Sequence, residues 1–111
     1  MISSDSGKTG SLIYMDHYAG GCEKLASGRK KTGNAQEAGR LYREAVAMRE
    51  KLYEASKTVS NAHALAMSCF NAAAFFDDWE LMERAYRIWD GLYGKYPEYA
   101  KYRDKARKAM A

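Results

Sequence analysis

Apolar side chains recur at steps of three and four residues along most of this chain, a rhythm that predicts helices rather than strands. The clearest run is Ala38, Leu41, Tyr42, Ala45, Met48, Leu52 and Tyr53, with Arg40, Arg43, Glu44, Glu50, Lys51 and Glu54 on the remaining faces. Asn34 precedes this run and Glu37 follows three residues later, the spacing of a capping box. A helix should therefore begin after Gly33 and run to about Lys57. A second stripe, Ala62, Leu65, Ala66, Cys69, Ala72, Ala73 and Phe76, follows Ser60, a suitable N-cap. Its small side chains let a neighbouring backbone approach closely. Asp77-Asp78 should end that helix and start the next, with Asp77 and Glu80 repeating the capping-box spacing. The third stripe carries Leu81, Met82, Ala85, Ile88, Trp89, Leu92 and Tyr96, and Gly91 and Gly94 weaken its last turns. Pro97 cannot continue a helix but suits the first turn of another. Tyr99, Tyr102, Ala106 and Ala109 or Met110 then form a final amphipathic helix.

The first third is weaker helical material, because six of the nine glycines lie at or before Gly33. Ser3–Ser11 reads as a polar, flexible tail, and the pattern of Ser11–Tyr18 fits a short helix or an extended segment equally. Gly20 and Gly21 should interrupt the chain before a modest helix over Cys22–Lys31. No alternating Val/Ile-rich run occurs, and short connections between long helices imply antiparallel neighbours. The expected fold is all-α: a weakly structured segment over 1–19, then a helical domain over 20–111. Within that domain one hairpin covers 20–57, a second 60–96, and a terminal helix 97–110.

Hydrophobic residues make up 47% of the chain and charged residues 29%, a balance that supports a packed core without disulfide staples. The net charge of +4 is unevenly spread. Glu98–Ala111 holds five cations against two acids, whereas Asp77–Pro97 holds three against five. The basic end suits an acidic partner, although cations late in a helix also simply complement its dipole. The two cysteines, Cys22 and Cys69, form no CxxC pair. No secretory signal or membrane-spanning apolar run is evident, which points to a reducing, cytoplasmic setting with free thiols.

Chemical motifs are sparse. Ser6-Gly7-Lys8-Thr9 echoes a phosphate-binding loop, but Ile2 stands where the leading glycine belongs and no strand feeds it. His17, His63, Cys22, Cys69 and Asp16 have no zinc-ligand spacing, so no metal or other cofactor is expected. Cys69 lies six residues after His63, on the opposite side of a helix at about 100° per residue, which removes a Cys–His nucleophile pair. Asp77, Asp78 and Glu80 read as caps and dipole partners rather than acid–base groups. The tail Tyr96–Lys108 interleaves Tyr96, Tyr99 and Tyr102 with Lys101, Arg103, Lys105, Arg107 and Lys108, a combination that suits single-stranded nucleic acid. Tyr99, Tyr102 and Ala106 share one face, however, and packing on the preceding hairpin is its simpler use. No catalytic residue is assigned.

The spacing of the second hairpin resembles a tetratricopeptide repeat, whose pattern covers about 34 residues. With Ala85 at the first alanine of the repeat's second helix, Trp89 takes the aromatic position four later and Pro97 the terminal proline. Ala72-Ala73 stand at the Leu-Gly pair, Phe76 at the tyrosine, and Cys69 where the pattern has tryptophan. Upstream, Ala38, Tyr42 and Ala45 repeat the second-helix register, while Leu25-Ala26 and Arg29 replace the usual first-helix residues. The two copies are offset by 47 residues. Glu37–Leu52, EAGRLYREAVAMREKL, is similar to the second helix of the longer repeats in kinesin-light-chain-like proteins, and Asn71-Ala72-Ala73 to their Asn-Leu-Ala triplet.

The resemblance implies a short right-handed solenoid of stacked antiparallel hairpins. It also implies a non-catalytic role, with a protein or peptide held in a groove lined by the first helix of each hairpin. The groove residues so implied are Lys24, Ser27, Met67, Phe70, Asn71 and Ala74, with Asn71 bonding the backbone of an extended ligand. The carboxylate clamp of some family members is missing, since Phe70, Ala74, Glu23 and Ser27 occupy its positions. Repeat units bury their apolar faces only against neighbours and about three are usually needed. The last helix caps the stack, another copy of the chain completes it as a homo-oligomer, or the chain belongs to a longer array. Self-assembly is thus the main alternative to partner binding, and nucleic acid is third.

Overall fold

The structure, a computed structural model, describes the backbone from Ile2 to Ala111 and the side chains from Leu12 onward. Five α-helices follow one another: α1 (Ile2–Lys31), α2 (Ala35–Ala55), α3 (Val59–Phe76), α4 (Trp79–Tyr93) and α5 (Ala100–Met110), with a 3-10 turn over Pro97–Tyr99 before the last. The described residues contain no strand, and each helix packs against the next. Short connections turn each helix back against the one before it, and side chains meet across these contacts. Tyr18 meets Glu44 and Asp16 meets Arg49 between α1 and α2. Tyr42 meets Phe75 between α2 and α3, and Asp90 meets Arg103 between α4 and α5.

The caps set the boundaries. Asn34 accepts a hydrogen bond from the Glu37 backbone N–H at 3.2 Å, and Gly33 supplies the left-handed turn before it with φ of 85°. Glu37 does not bond back to Asn34 but pairs with Arg40, so only half of the expected capping box forms. α2 stops at Ala55, short of Lys57. Thr58, not Ser60, caps α3, accepting from the Asn61 N–H at 3.1 Å while the Asn61 amide donates to the Ser56 carbonyl at 2.8 Å. That second bond closes the turn and fixes the earlier start. Asp78, one residue past the expected cap, accepts from the Leu81 N–H at 3.2 Å, and Asp77 instead ends α3 in a left-handed conformation with φ of 55°. α4 ends at Tyr93, before Tyr96, and Pro97 opens a 3-10 turn rather than the final α-helix.

The expected interruption at Gly20 and Gly21 is absent: α1 runs through both and begins at Ile2, inside the segment read as weakly structured. Tertiary anchoring overrides the low helix propensity of glycine here. Ala19, Cys22 and Ala26 are buried in the contact with α2. Beside them Arg49 of α2 pairs with Asp16 and Glu23, and the other Glu23 oxygen accepts from the Ser68 hydroxyl of α3. Glu23 of α1 thereby ties three helices together, reaching Arg49 of α2 with one oxygen and Ser68 of α3 with the other.

The core is built from small residues around one large one. Trp89 is 1% exposed, and Ala38, Ala66, Cys69, Ala72, Ala85 and Ala106 are fully buried. Gly39 sits in a tight space, since a Cβ there would come to 3.2 Å from the Phe76 ring and 3.3 Å from Phe75, and those rings would have to give by a few tenths of an ångström. Gly39→Val should lower unfolding stability by about 1–3 kcal/mol through overpacking, and Asp78→Ala by about 0.5–2 kcal/mol through loss of the α4 cap. Urea titration followed by circular dichroism measures both.

Candidate functional site

Of the six groove residues, Met67, Asn71 and Ala74 fall on one narrow outward strip of α3, within roughly a quarter turn at about 100° per residue. Met67 and Asn71 are half-buried and Ala74 is exposed. Phe70 lies at the edge of this strip and is largely committed to the interior. Its ring is 5.9 Å from Trp89, and the Lys105 ammonium of α5 covers it at 5.4 Å. Lys24 and Ser27 are exposed on α1 and flank Glu23 and Ala26, whose helix the Glu23–Ser68 bond holds beside α3. A smaller hollow of about 180 Å³ brings Phe70 and Ala74 together with Trp79, Met82 and Asp77. Trp79 is 58% exposed there.

A larger cleft, about 380 Å³, lies elsewhere and contains none of the six. It opens between α2 and α4, which run in the same direction on either side of α3. Its apolar floor is Tyr53 of α2, Ala62 and Leu65 of α3, and Ile88 and Leu92 of α4. Glu50 and Glu54 form the α2 wall, and Arg84 and Arg87 the α4 wall. Glu50 and Arg84 meet across the gap at 2.6 Å, while Arg87 turns to Glu83 of its own helix at 2.9 Å. Gly91 notches the α4 wall, and a Cβ at that position would meet nothing within 4 Å. One trace of this site is present in the sequence. Glu50 and Glu54, and Arg84 and Arg87, are like charges one helical turn apart, which weaken an isolated helix. Opposite charge on a neighbouring helix offsets that cost.

Burial and hydrogen bonding shift several titratable groups. Burial pushes the Cys69 thiol up to about 11, and burial likewise raises Cys22, so both stay protonated near neutral pH. The hydrogen bond to Glu44 pushes the Tyr18 hydroxyl up to about 12. His63 sits six residues before Cys69 and is occupied otherwise: its Nδ1 accepts from the Trp89 indole N–H at 3.0 Å. The His63 ring packs edge-on to Tyr102 at 4.7 Å and against Tyr99 at 5.2 Å. Tyr99 and Tyr102 of the basic tail thus pack inward rather than standing free for base stacking. Among the described residues no three His, Cys, Asp or Glu side chains converge on a point that could hold a metal ion. No helix among them is long and apolar enough to cross a membrane.

Comparison with known proteins finds no matching family model, no matching curated protein and no matching solved structure.

Burial lowers the His63 pKa below its ordinary 6.5. The unfolded chain therefore binds this proton more readily than the folded one. The stability from the neutral ring is complete above about pH 6.5 and is lost as pH falls from there toward the lowered folded value. Protonation of Nδ1 also removes the acceptor for Trp89. The melting temperature should fall between pH 7.5 and pH 5, and His63→Phe should flatten that slope in a calorimetric pH series.

Proposed function

We propose that this chain is a non-catalytic protein-interaction module, a short stack of tetratricopeptide-like helical hairpins that binds a peptide or a protein surface. Supporting the stack, α1 and α2 form one antiparallel pair and α3 and α4 a second, with α5 as the closing helix. Contacts also skip one element, as a stack requires. Glu23 of α1 reaches Ser68 of α3, and His63 and Phe70 of α3 meet Tyr102 and Lys105 of α5. The observation that carries the binding part of the reading is the α2–α4 cleft, which opens between the second helices of the two pairs rather than on the first-helix face that the resemblance implies for a groove. The cleft combines an open concavity, an apolar floor and charged walls. Such a site holds side chains in place and orients them by charge. The strip of Met67, Asn71 and Ala74, with Lys24 and Ser27 alongside, is the second surface this reading offers to a partner.

The test uses a displayed library of random 12-residue peptides selected against the purified chain. Gly91→Phe should weaken the selected peptides at least about tenfold by filling the notch while leaving the circular dichroism spectrum unchanged. Equal binding to the variant would remove the cleft from the site.

A second reading, assembly with further copies of the chain, is favoured by one face of α1. Tyr14 is 67% exposed, Ile13 55% and Leu25 54%, on a helix whose main contact is α2. If this face self-associates, light scattering should show mass rising with concentration, and Tyr14→Lys with Leu25→Lys should restore a monomer. A monomer at every concentration would end this reading.

A further inference from the structure

Resting on the interaction module proposed above, we infer that the outward strip of α1 seats an amphipathic helix from a partner protein, with acidic residues along the edge of its apolar row. Tyr14, Gly21, Leu25 and Gly28 fall within about 60° of arc at about 100° per residue, and so form one strip along α1. Tyr14 is 67% exposed and Leu25 54%. A Cβ at Gly21 or Gly28 would meet nothing within 4 Å, so each glycine is an open recess between large side chains. The strip is left uncovered because α1 is held from another side, where Ala19, Cys22 and Ala26 are buried in its main contact, with α2.

Charge selects the occupant. Lys24 and Lys31 run along one edge of the strip, within about 60° of it. Both are exposed, and no ion pair involves either among the described residues. The acids of α1 between Leu12 and Lys31 are Asp16 and Glu23, and both pair with Arg49 on the α2 side. On the α2 edge of the strip, beside Tyr18, the cation Arg40 is already matched by Glu37 and Glu44. The lysine edge is therefore uncompensated and attracts acids. A second copy packed antiparallel through the strip would set lysine edge against lysine edge, which like-charge repulsion opposes.

The glycine spacing argues for a helix. Gly21 and Gly28 are seven residues apart, about 10.5 Å along the axis at about 1.5 Å per residue. Side chains seven apart on a facing helix match that interval and enter both recesses as knobs. Same-face side chains of an extended peptide fall at about 6.7 Å and about 13 Å, and miss one recess or the other.

Two fluorescein-labelled three-heptad helical peptides share one leucine row and carry either Glu or Lys on its flanks. Fluorescence anisotropy with the full chain should find the Glu peptide tighter by about three- to tenfold, the range that a few exposed ion pairs produce. Lys24→Glu with Lys31→Glu should reverse that order. Gly21→Gln with Gly28→Gln fills both recesses with uncharged, helix-favouring side chains. That variant should keep its helical circular dichroism spectrum and bind the Glu peptide at least about fivefold more weakly. Equal affinity for the two peptides would overturn the acidic edge, and full binding to the glutamine variant would overturn the strip as the seat. Undiminished binding of a Glu peptide carrying two central prolines would overturn the helix. A dimer of the chain that excludes the Glu peptide would give the strip to a second copy, and displacement of the peptide by phosphatidylserine vesicles would give it to a lipid surface; either overturns the proposal. If library-selected peptides bind in a Gly91→Phe-sensitive manner but the Glu peptide does not bind, the α1 seat falls and the interaction module stands. If neither binds, both fall.

Discussion

Everything in this molecule depends on how closely other helices can approach α3. It is the central element, with α2 and α4 against its sides, α1 bonded to it through Ser68, and α5 over His63 and Phe70. A helix crowded on so many sides cannot carry large side chains toward each neighbour. Its buried positions are accordingly Ala62, Leu65, Ala66, Ser68, Cys69, Ala72 and Ala73, and the bulk is supplied from outside by Trp89, Tyr42 and Met82. Interiors are close-packed and respond to single methylenes, so a larger residue at Ala66 or Ala72 would push a whole helix outward rather than one side chain.

The same constraint explains where the surface concavities lie. Small residues draw α2 and α4 inward onto α3, but the two outer helices do not close over one another. They meet through a charged bridge, Glu50 to Arg84, rather than through apolar packing. What remains between them is a trough with an apolar base. Elsewhere on α3, Lys105 of α5 covers the Phe70 ring, while Met67 and Asn71 are half-buried and Ala74 is exposed.

The helical class and three of the four long-helix stripes were legible because period-3.6 patterning is strong wherever one face is buried. From α2 onward the helix ends were legible only to within two or three residues. Ser60 and Asp77 are chemically good caps, and local sequence does not reveal that Asn61 would lock Thr58 in place or that Asp77 would turn left-handed. α1 was the least readable element because its helix is held by partners far along the chain, Arg49 and Ser68, while its own composition argues against helix. The α2–α4 cleft was invisible for a related reason. Its floor residues had each been counted as core, and only the three-dimensional separation of two parallel helices turns them into a surface. Among the residues the resemblance implied for a groove, Phe70 is half-buried and covered by Lys105 of α5, a contact with an element 30 or more residues downstream that no local pattern reveals.

The two tryptophans occupy opposite environments, one sealed at the junction of α3, α4 and α5 and the other more than half open to solvent at the start of α4. The molecule therefore contains two natural optical reporters. Trp89 emits from a dry site and shares its indole proton with His63, so its spectrum follows the integrity of the junction. Trp79 emits from water and is open to collisional quenchers, so it follows events at the end of the bundle where α3 turns into α4.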